Sequence, residues 1–304
     1  MIESVFITGA NAGLGKEAAR QLAEKPGIKK IYLGCRNPRK AQDAKKELEQ
    51  ATGKRIFEIL TIDVSDLKSV RRAAETLPAS VDALIMNAGG TGGQGFNQLN
   101  SDGVTRIFAV NLLGHAVLTE ELLKANKLKQ VALYAGSEAA RGVEEMGMKR
   151  PALKSSSIEE FVSIGNGSFY GPTKDATTPY GPIKYMAALW MSAMARQHTQ
   201  IRFVTMSPGA TTGTEGFNTL PPLKRYVMKG MMQVMLMLGK VHKVETGAQR
   251  YLDGLFNPRY KSGAFYASKK GLTGPVGEQG KIFSDINNET YQDNAYMAIQ
   301  RFLK

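Results

Sequence analysis

The sequence predicts an α/β protein built on a single doubly wound, parallel, seven-stranded sheet with helices on both faces. Short runs rich in Val, Ile, Leu and Phe alternate with helix-forming runs along most of the chain. A glycine-rich turn joins the first strand to the first helix. No linker or composition break divides the 304 residues, so one domain over 1–304 with one core is expected.

Taken in order, Val5-Phe6-Ile7 centres a strand at 4–8, and the helix-forming run Lys16 to Glu24 that follows makes a helix at 14–24. Strands at 29–34 and 56–63 enclose a charged helix at 38–50. The next pair, 82–87 and 130–136, enclose a helix at 103–126, and a helix at 66–77 precedes them. A helix at 181–198 leads to strands at 200–206 and 263–267, with a less regular helix at 223–240. Two stretches break the alternation: 138–179, long and irregular, and 210–262. Both are expected over the carboxyl ends of the strands, forming the substrate side.

An apolar content of 42% and a charged content of 22% describe a globular chain. No apolar run approaches the roughly 18 residues of a membrane span, and no leader is expected before the first strand. A single cysteine, Cys35, excludes an internal disulfide and fits a reducing, cytoplasmic setting. His115, His198 and His242 are scattered without metal-ligand spacing, so no metal is expected. The net charge of +13 carries no nucleic-acid motif, so no nucleic-acid partner is expected; part of the excess suits an anionic cofactor.

The first fifteen residues carry the clearest chemistry. In Thr8-Gly-Ala-Asn-Ala-Gly-Leu-Gly15, glycines at 9, 13 and 15, with Asn11 and Leu14 between them, let the backbone turn tightly and approach a pyrophosphate. The N–H groups and dipole of the helix start then hold that diphosphate. About twenty residues on, the second strand ends in Cys35-Arg36, where an NAD-selective site places Asp or Glu. An arginine accommodates a 2′-phosphate instead, and Arg39 and Lys40 add charge, so NADP(H) is the expected cofactor. Asp63, followed by Val64, either accepts from an adenine amino group or caps a helix beside Ser65 and Asp66. Asn87-Ala88-Gly89 supplies small residues for close backbone approach.

A Tyr-x-x-x-Lys pair places an ammonium beside a phenol on one helix face, which favours phenolate and makes a proton donor and acceptor. The chain offers two: Tyr170/Lys174 and Tyr180/Lys184. Pro179 stops a helix soon after Lys174, whereas a long run without Gly or Pro follows Lys184, with Pro182 expected in its first turn. Tyr180 and Lys184 are therefore the expected pair.

Thr8-Gly-x-x-x-Gly-x-Gly15, Asn87-Ala-Gly89, Asn111, Ser137, Tyr180-x-x-x-Lys184 and Pro208-Gly209 together resemble the short-chain dehydrogenase/reductase superfamily, over nearly the whole chain. TGANAGLGKEAA, GCRNPRKAQDA, IDVSDLKSVR and NLLGHAVLTEELL are most similar to its retinol dehydrogenase and protochlorophyllide reductase branch. The resemblance implies a Rossmann fold and hydride transfer at nicotinamide, with Tyr180 passing a proton to or from the substrate oxygen. It further implies that Lys184 bonds the nicotinamide ribose and that Ser137 holds the carbonyl oxygen. By the same resemblance, Asn111 interrupts its helix and supports a water leading protons to Lys184. Thr212 or Thr214 would meet the carboxamide.

Two departures stand out. Ser137 and Tyr180 are separated more widely than in most members, and Ala210 stands where the protochlorophyllide enzymes carry a cysteine. A methionine-rich segment at 226–238, flanked by Lys224, Arg225, Lys229 and Lys240, reads as an apolar substrate lid, a peripheral membrane contact through 223–240, or a core helix. The expected activity is NADP(H)-dependent interconversion of a carbonyl and an alcohol on a fairly large apolar small-molecule substrate. Reduction of a conjugated C=C bond and a non-catalytic NADP(H)-sensing regulator are the alternatives.

Overall fold

The computed structural model describes residues 1–144, 148–212 and 235–303. Strand β1 (Ser4–Thr8) leads into helix α1 (Gly13–Glu24), β2 (Lys30–Cys35) into α2 (Pro38–Thr52), and β3 (Phe57–Thr61) into α3 (Leu67–Thr76). After β4 (Val81–Met86) come α4 (Arg106–Phe108), a π-turn (Ala109–Leu113) and α5 (Gly114–Lys124). β5 (Leu128–Ala135) is followed by a 3₁₀ turn (Glu138–Ala140), α6 (Ile158–Asn166) and α7 (Thr177–Gln197). The chain continues through β6 (Arg202–Met206), α8 (Val244–Phe256), β7 (Phe265–Ser268), β8 (Val276–Glu278) and α9 (Glu289–Gln300).

Among the described residues the strands form one sheet in the order β3-β2-β1-β4-β5-β6-β7-β8. Its first seven strands pair in parallel, with Val5 opposite Ile31 and Ala83 on either side. Strand alternation supplies two cores. Phe6, Tyr32, Leu84 and Met86 face α3, α5, α7 and α9, whereas Val5, Ile7, Leu33 and Ile85 face α1, α2 and α8. The buried set of α1, Gly15, Ala18, Ala19, Leu22 and Ala23, repeats at helical spacing and turns one face to the sheet. Helix α2 has both its ends written in sequence: Asn37 accepts from Lys40 N at 3.1 Å, Pro38 opens the helix, and Gly53 closes it with φ +67°.

Four features differ from the sequence expectation. An eighth strand, β8, pairs antiparallel with β7; at three residues it is too short to show a period. The 138–179 segment is not irregular throughout, because Ser157 caps α6 within it by accepting from Glu160 N at 3.2 Å. Helices α8 and α9 complete the two faces, α8 within the 210–262 segment. Finally, α7 begins at Thr177, so Pro179 starts it rather than preceding it, and Pro182 lies inside it. Residues 223–234 of the helix expected at 223–240, Thr214 and most of the methionine-rich segment lie outside the described residues. No helix among the described residues is long and apolar enough to cross a membrane.

Candidate active site

In a parallel sheet every strand delivers its next residue to the same edge, and here the order reverses between β1 and β4. Gly9 follows β1, Arg36 follows β2, Asp63 and Val64 follow β3, Asn87 follows β4, Ser137 follows β5 and Pro208 follows β6. Topology alone therefore gathers these residues along one rim.

The β1–α1 turn is clamped from β4. Asn87 Nδ2 donates to Thr8 O at 2.9 Å and Gly9 O at 3.3 Å, and the Asn87 and Ala88 amides both donate to Thr8 Oγ1 at 3.0 Å. A Cβ on Gly15 would lie against the Gly9 carbonyl and 2.5 Å from Asn87 Nδ2, so this crossing requires glycine. Gly13 opens α1, Leu14 packs toward the α1–α2–α8 core, and Asn11 is half-buried in the turn. Among the described residues no side chain caps α1: Ala12 at its start offers no acceptor. The helix thus presents its N-terminal N–H groups at the rim, as a bound diphosphate needs.

Arg36 is exposed at the end of β2, its Nε 3.8 Å from Asp63 Oδ2. Asp63 also accepts from Ser65 N at 2.9 Å and Ser65 Oγ at 2.6 Å, while Asp66 takes the capping role on α3 by accepting from Lys68 N. Val64 is buried, its carbonyl lying against Gly114 at the start of α5. Cys35 is buried beneath this corner, and burial pushes its thiol up to about 11.

Across the rim, α7 carries Tyr180 and Lys184 on one face toward the end of β5. Lys184 is buried and donates to Ala135 O at 2.9 Å and to the Tyr134 hydroxyl at 3.1 Å. Its Nζ lies 5.5 Å from the centre of the Tyr180 ring. Asn111 falls inside the π-turn and turns its side chain to the loop after β4: its Oδ1 accepts from Gly90 N at 3.0 Å and its Nδ2 donates to Gly90 O at 2.7 Å. Gly89 passes so close that a Cβ there would lie 2.7 Å from Asn111 Oδ1. Ser137, half-buried, starts the 3₁₀ turn and hydrogen-bonds Tyr180.

The electrostatics correct one expectation. Burial pushes the Tyr180 phenol up to about 12; the Ser137 hydrogen bond opposes this and the Glu138 charge adds to it. Burial likewise pushes Lys184 down to about 7. A lysine that charges so reluctantly does not pull the tyrosine below its ordinary value: removal from water penalises both charged forms. The second Tyr-x-x-x-Lys pair is not assembled. Lys174 is exposed, and the Tyr170 hydroxyl has no partner among the described residues.

Behind Ser137 lies a charged cluster that sequence reasoning missed. Buried Glu138 accepts from Ser207 Oγ and, at 3.1 Å, from Ser268 Oγ, and it lies 3.7 Å from Arg250. Arg250 reaches His242 Nε2 at 3.0 Å and Gly274 O at 2.9 Å. His242 in turn pairs by backbone with Ala210 and Thr212, which fixes the path of Pro208-Gly209 and its continuation. Neither Glu138 nor Arg250 stands in a motif; only a buried partner distinguishes them from surface charges. Tyr134 was missed for a different reason. It occupies an apolar strand and reads as core.

The family model described as short chain dehydrogenase matches residues 3–133. The chain is 37% identical to human (Homo sapiens) retinol dehydrogenase 11 over 131 residues, 42% of this chain and 39% of that protein. It is 31% identical to the NADP-dependent 3-hydroxy acid dehydrogenase of Schizosaccharomyces pombe over 215 residues, 68% of this chain and 71% of that protein. Two short chain dehydrogenases and two retinol dehydrogenases among the relatives are matched over only 34–40% of their own length. Among solved structures, the NADPH-bound carbonyl reductase from chicken fatty liver superposes with a TM-score of 0.58 at 17% identity, covering 90% of this chain and 99% of that one. Sequence likeness and sheet order thus agree with the rim geometry, and the chain belongs to the short-chain dehydrogenase family.

Proposed function

We propose that this protein is an NADP(H)-dependent oxidoreductase that interconverts a carbonyl and an alcohol on a fairly large apolar substrate. One observation carries the reading: Ser137, Tyr180 and Lys184 converge, backed by Asn111, on the rim that also carries the uncapped start of α1. Gly9, Gly13 and Gly15 would hold the diphosphate, Arg36 the 2′-phosphate, Asn87 to Gly89 the adjoining ribose, and Thr212 the carboxamide. A nicotinamide cofactor, when bound, supplies or accepts the hydride.

The chain's own residues handle the oxygen and the proton. In reduction, Ser137 donates a hydrogen bond to the substrate oxygen and Tyr180 gives it a proton; in oxidation, Tyr180 takes that proton back. Lys184, beside the Tyr180 ring, would hold the ribose. The names of the relatives, a retinol dehydrogenase and a carbonyl reductase, support an apolar carbonyl or alcohol.

The test is NADPH consumption by the purified chain against a panel of aldehydes and ketones of increasing apolar length. Turnover rising with apolar length is expected. NADPH binding with no turnover of any carbonyl would overturn the reading in favour of a sensor, and consumption only with conjugated alkenes would favour C=C reduction.

A further inference from the structure

The buried environment of Lys184 contains a side chain that no motif requires. Tyr134 is fully buried on β5, with its ring 4.6 Å from Lys184 Nζ. Its hydroxyl accepts from Lys184 Nζ at 3.1 Å and donates to the Asn111 carbonyl at 2.6 Å. The same carbonyl lies 3.4 Å from His115 Nδ1, while His115 Nε2 lies 3.1 Å from Thr8 Oγ1. With His115 protonated on Nδ1, both lone pairs of the Asn111 carbonyl are engaged by protein donors. The Tyr134 hydroxyl thus bridges Lys184 and the Asn111 carbonyl.

We propose that Tyr134 is a positioning residue, whose hydroxyl anchors Lys184 against the Asn111 carbonyl. This rests on the hydride-transfer reading above and assigns a further residue to the same site. Lys184 is faced by Tyr134 from β5, by Tyr180 from its own helix and by His115 from α5; Glu138 acts on Tyr180 from beyond it. Burial keeps the Tyr134 phenol well above its ordinary value and holds His115 down at about 3, so both stay neutral. The anchor therefore works as a fixed dipole, and its acceptor oxygen favours the charged lysine.

Tyr134→Phe keeps the ring and removes the anchor. The side-chain ¹⁵N signal of Lys184, assigned with Lys184→Met, should then titrate lower by roughly half a pH unit or more. With carbonyl substrate, kcat should fall about tenfold while KM stays within about twofold. If Tyr134→Phe fails to fold, 3-fluorotyrosine at position 134 preserves the packing but weakens the oxygen as acceptor, and should move the midpoint in the same direction. An unmoved midpoint, or activity lost only in step with thermal stability, overturns the proposal. A shifted midpoint in a protein that turns over no carbonyl supports the anchoring and overturns the hydride-transfer reading instead.

Discussion

The Lys184 ammonium nitrogen lies 5.5 Å from the centre of the Tyr180 ring, yet its hydrogen bonds go to Ala135 O and the Tyr134 hydroxyl. The two residues share a helix face and a cleft without bonding to each other. Substitution can therefore separate the proton transfer proposed for Tyr180 from the burial energetics of Lys184.

Tyr180→Phe removes the only group of the pair able to exchange a proton with substrate while keeping the ring. It should lower kcat by about 10²–10⁴. Tyr170→Phe should leave kcat within roughly threefold and the fold intact, because the Tyr170 hydroxyl has no partner among the described residues to lose. Steady-state kinetics on both variants checks this. An essential Tyr170 with a dispensable Tyr180 would place the site on the wrong pair.

Burial of Lys184 has a stability signature. An unfolded chain keeps this lysine protonated up to its ordinary 10.5, the folded chain only up to about 7. Between those values the unfolded state binds more protons, so this group makes stability rise with pH and fall as pH drops toward 7. Lys184→Met should therefore melt higher than the unaltered protein at pH 7, by roughly 3 °C or more. The advantage should shrink toward pH 10. A melting difference that is constant across this window would refute the assignment.

On the proposed reading, Arg36 selects the cofactor phosphate. NADPH should bind at least about tenfold more tightly than NADH, a difference of about 1.4 kcal/mol, and Arg36→Asp should erase the preference by repelling a 2′-phosphate. Asp63, 3.8 Å from Arg36, offsets part of its charge, so the preference should weaken as salt screens this exposed corner. Fluorescence titration of both cofactors measures it; equal affinities in the unaltered protein would remove the argument.

The Glu138–Arg250 pair is almost wholly buried, with side-chain exposures of 5% and 8%. Glu138→Gln leaves Arg250 charged and uncompensated, and should cost about 3 kcal/mol in urea unfolding. Arg250→Met should cost a similar amount. The double variant should lose clearly less than the sum, since neither charge is then stranded. Strict additivity would mean that the pair does not couple.

Local sequence by itself determined the glycine turn, the uncapped start of α1, the caps of α2, and which Tyr-x-x-x-Lys pair stands on a long helix. Each depends on residues within a turn or two of one another, where backbone conformation and helix spacing follow directly from side-chain type. It also determined the strand alternation that forces a parallel sheet, and with it the rim on which the site is built. Only the tertiary structure decided that Tyr134 meets Asn111 and Lys184, which lie 23 and 50 residues away in the chain. The same holds for Glu138 beside Ser268, 130 residues distant, and for burial setting the protonation of both Tyr180 and Lys184. Desolvation depends on everything packed around a group, and a tyrosine in an apolar strand looks the same in sequence whether its hydroxyl meets solvent or a lysine.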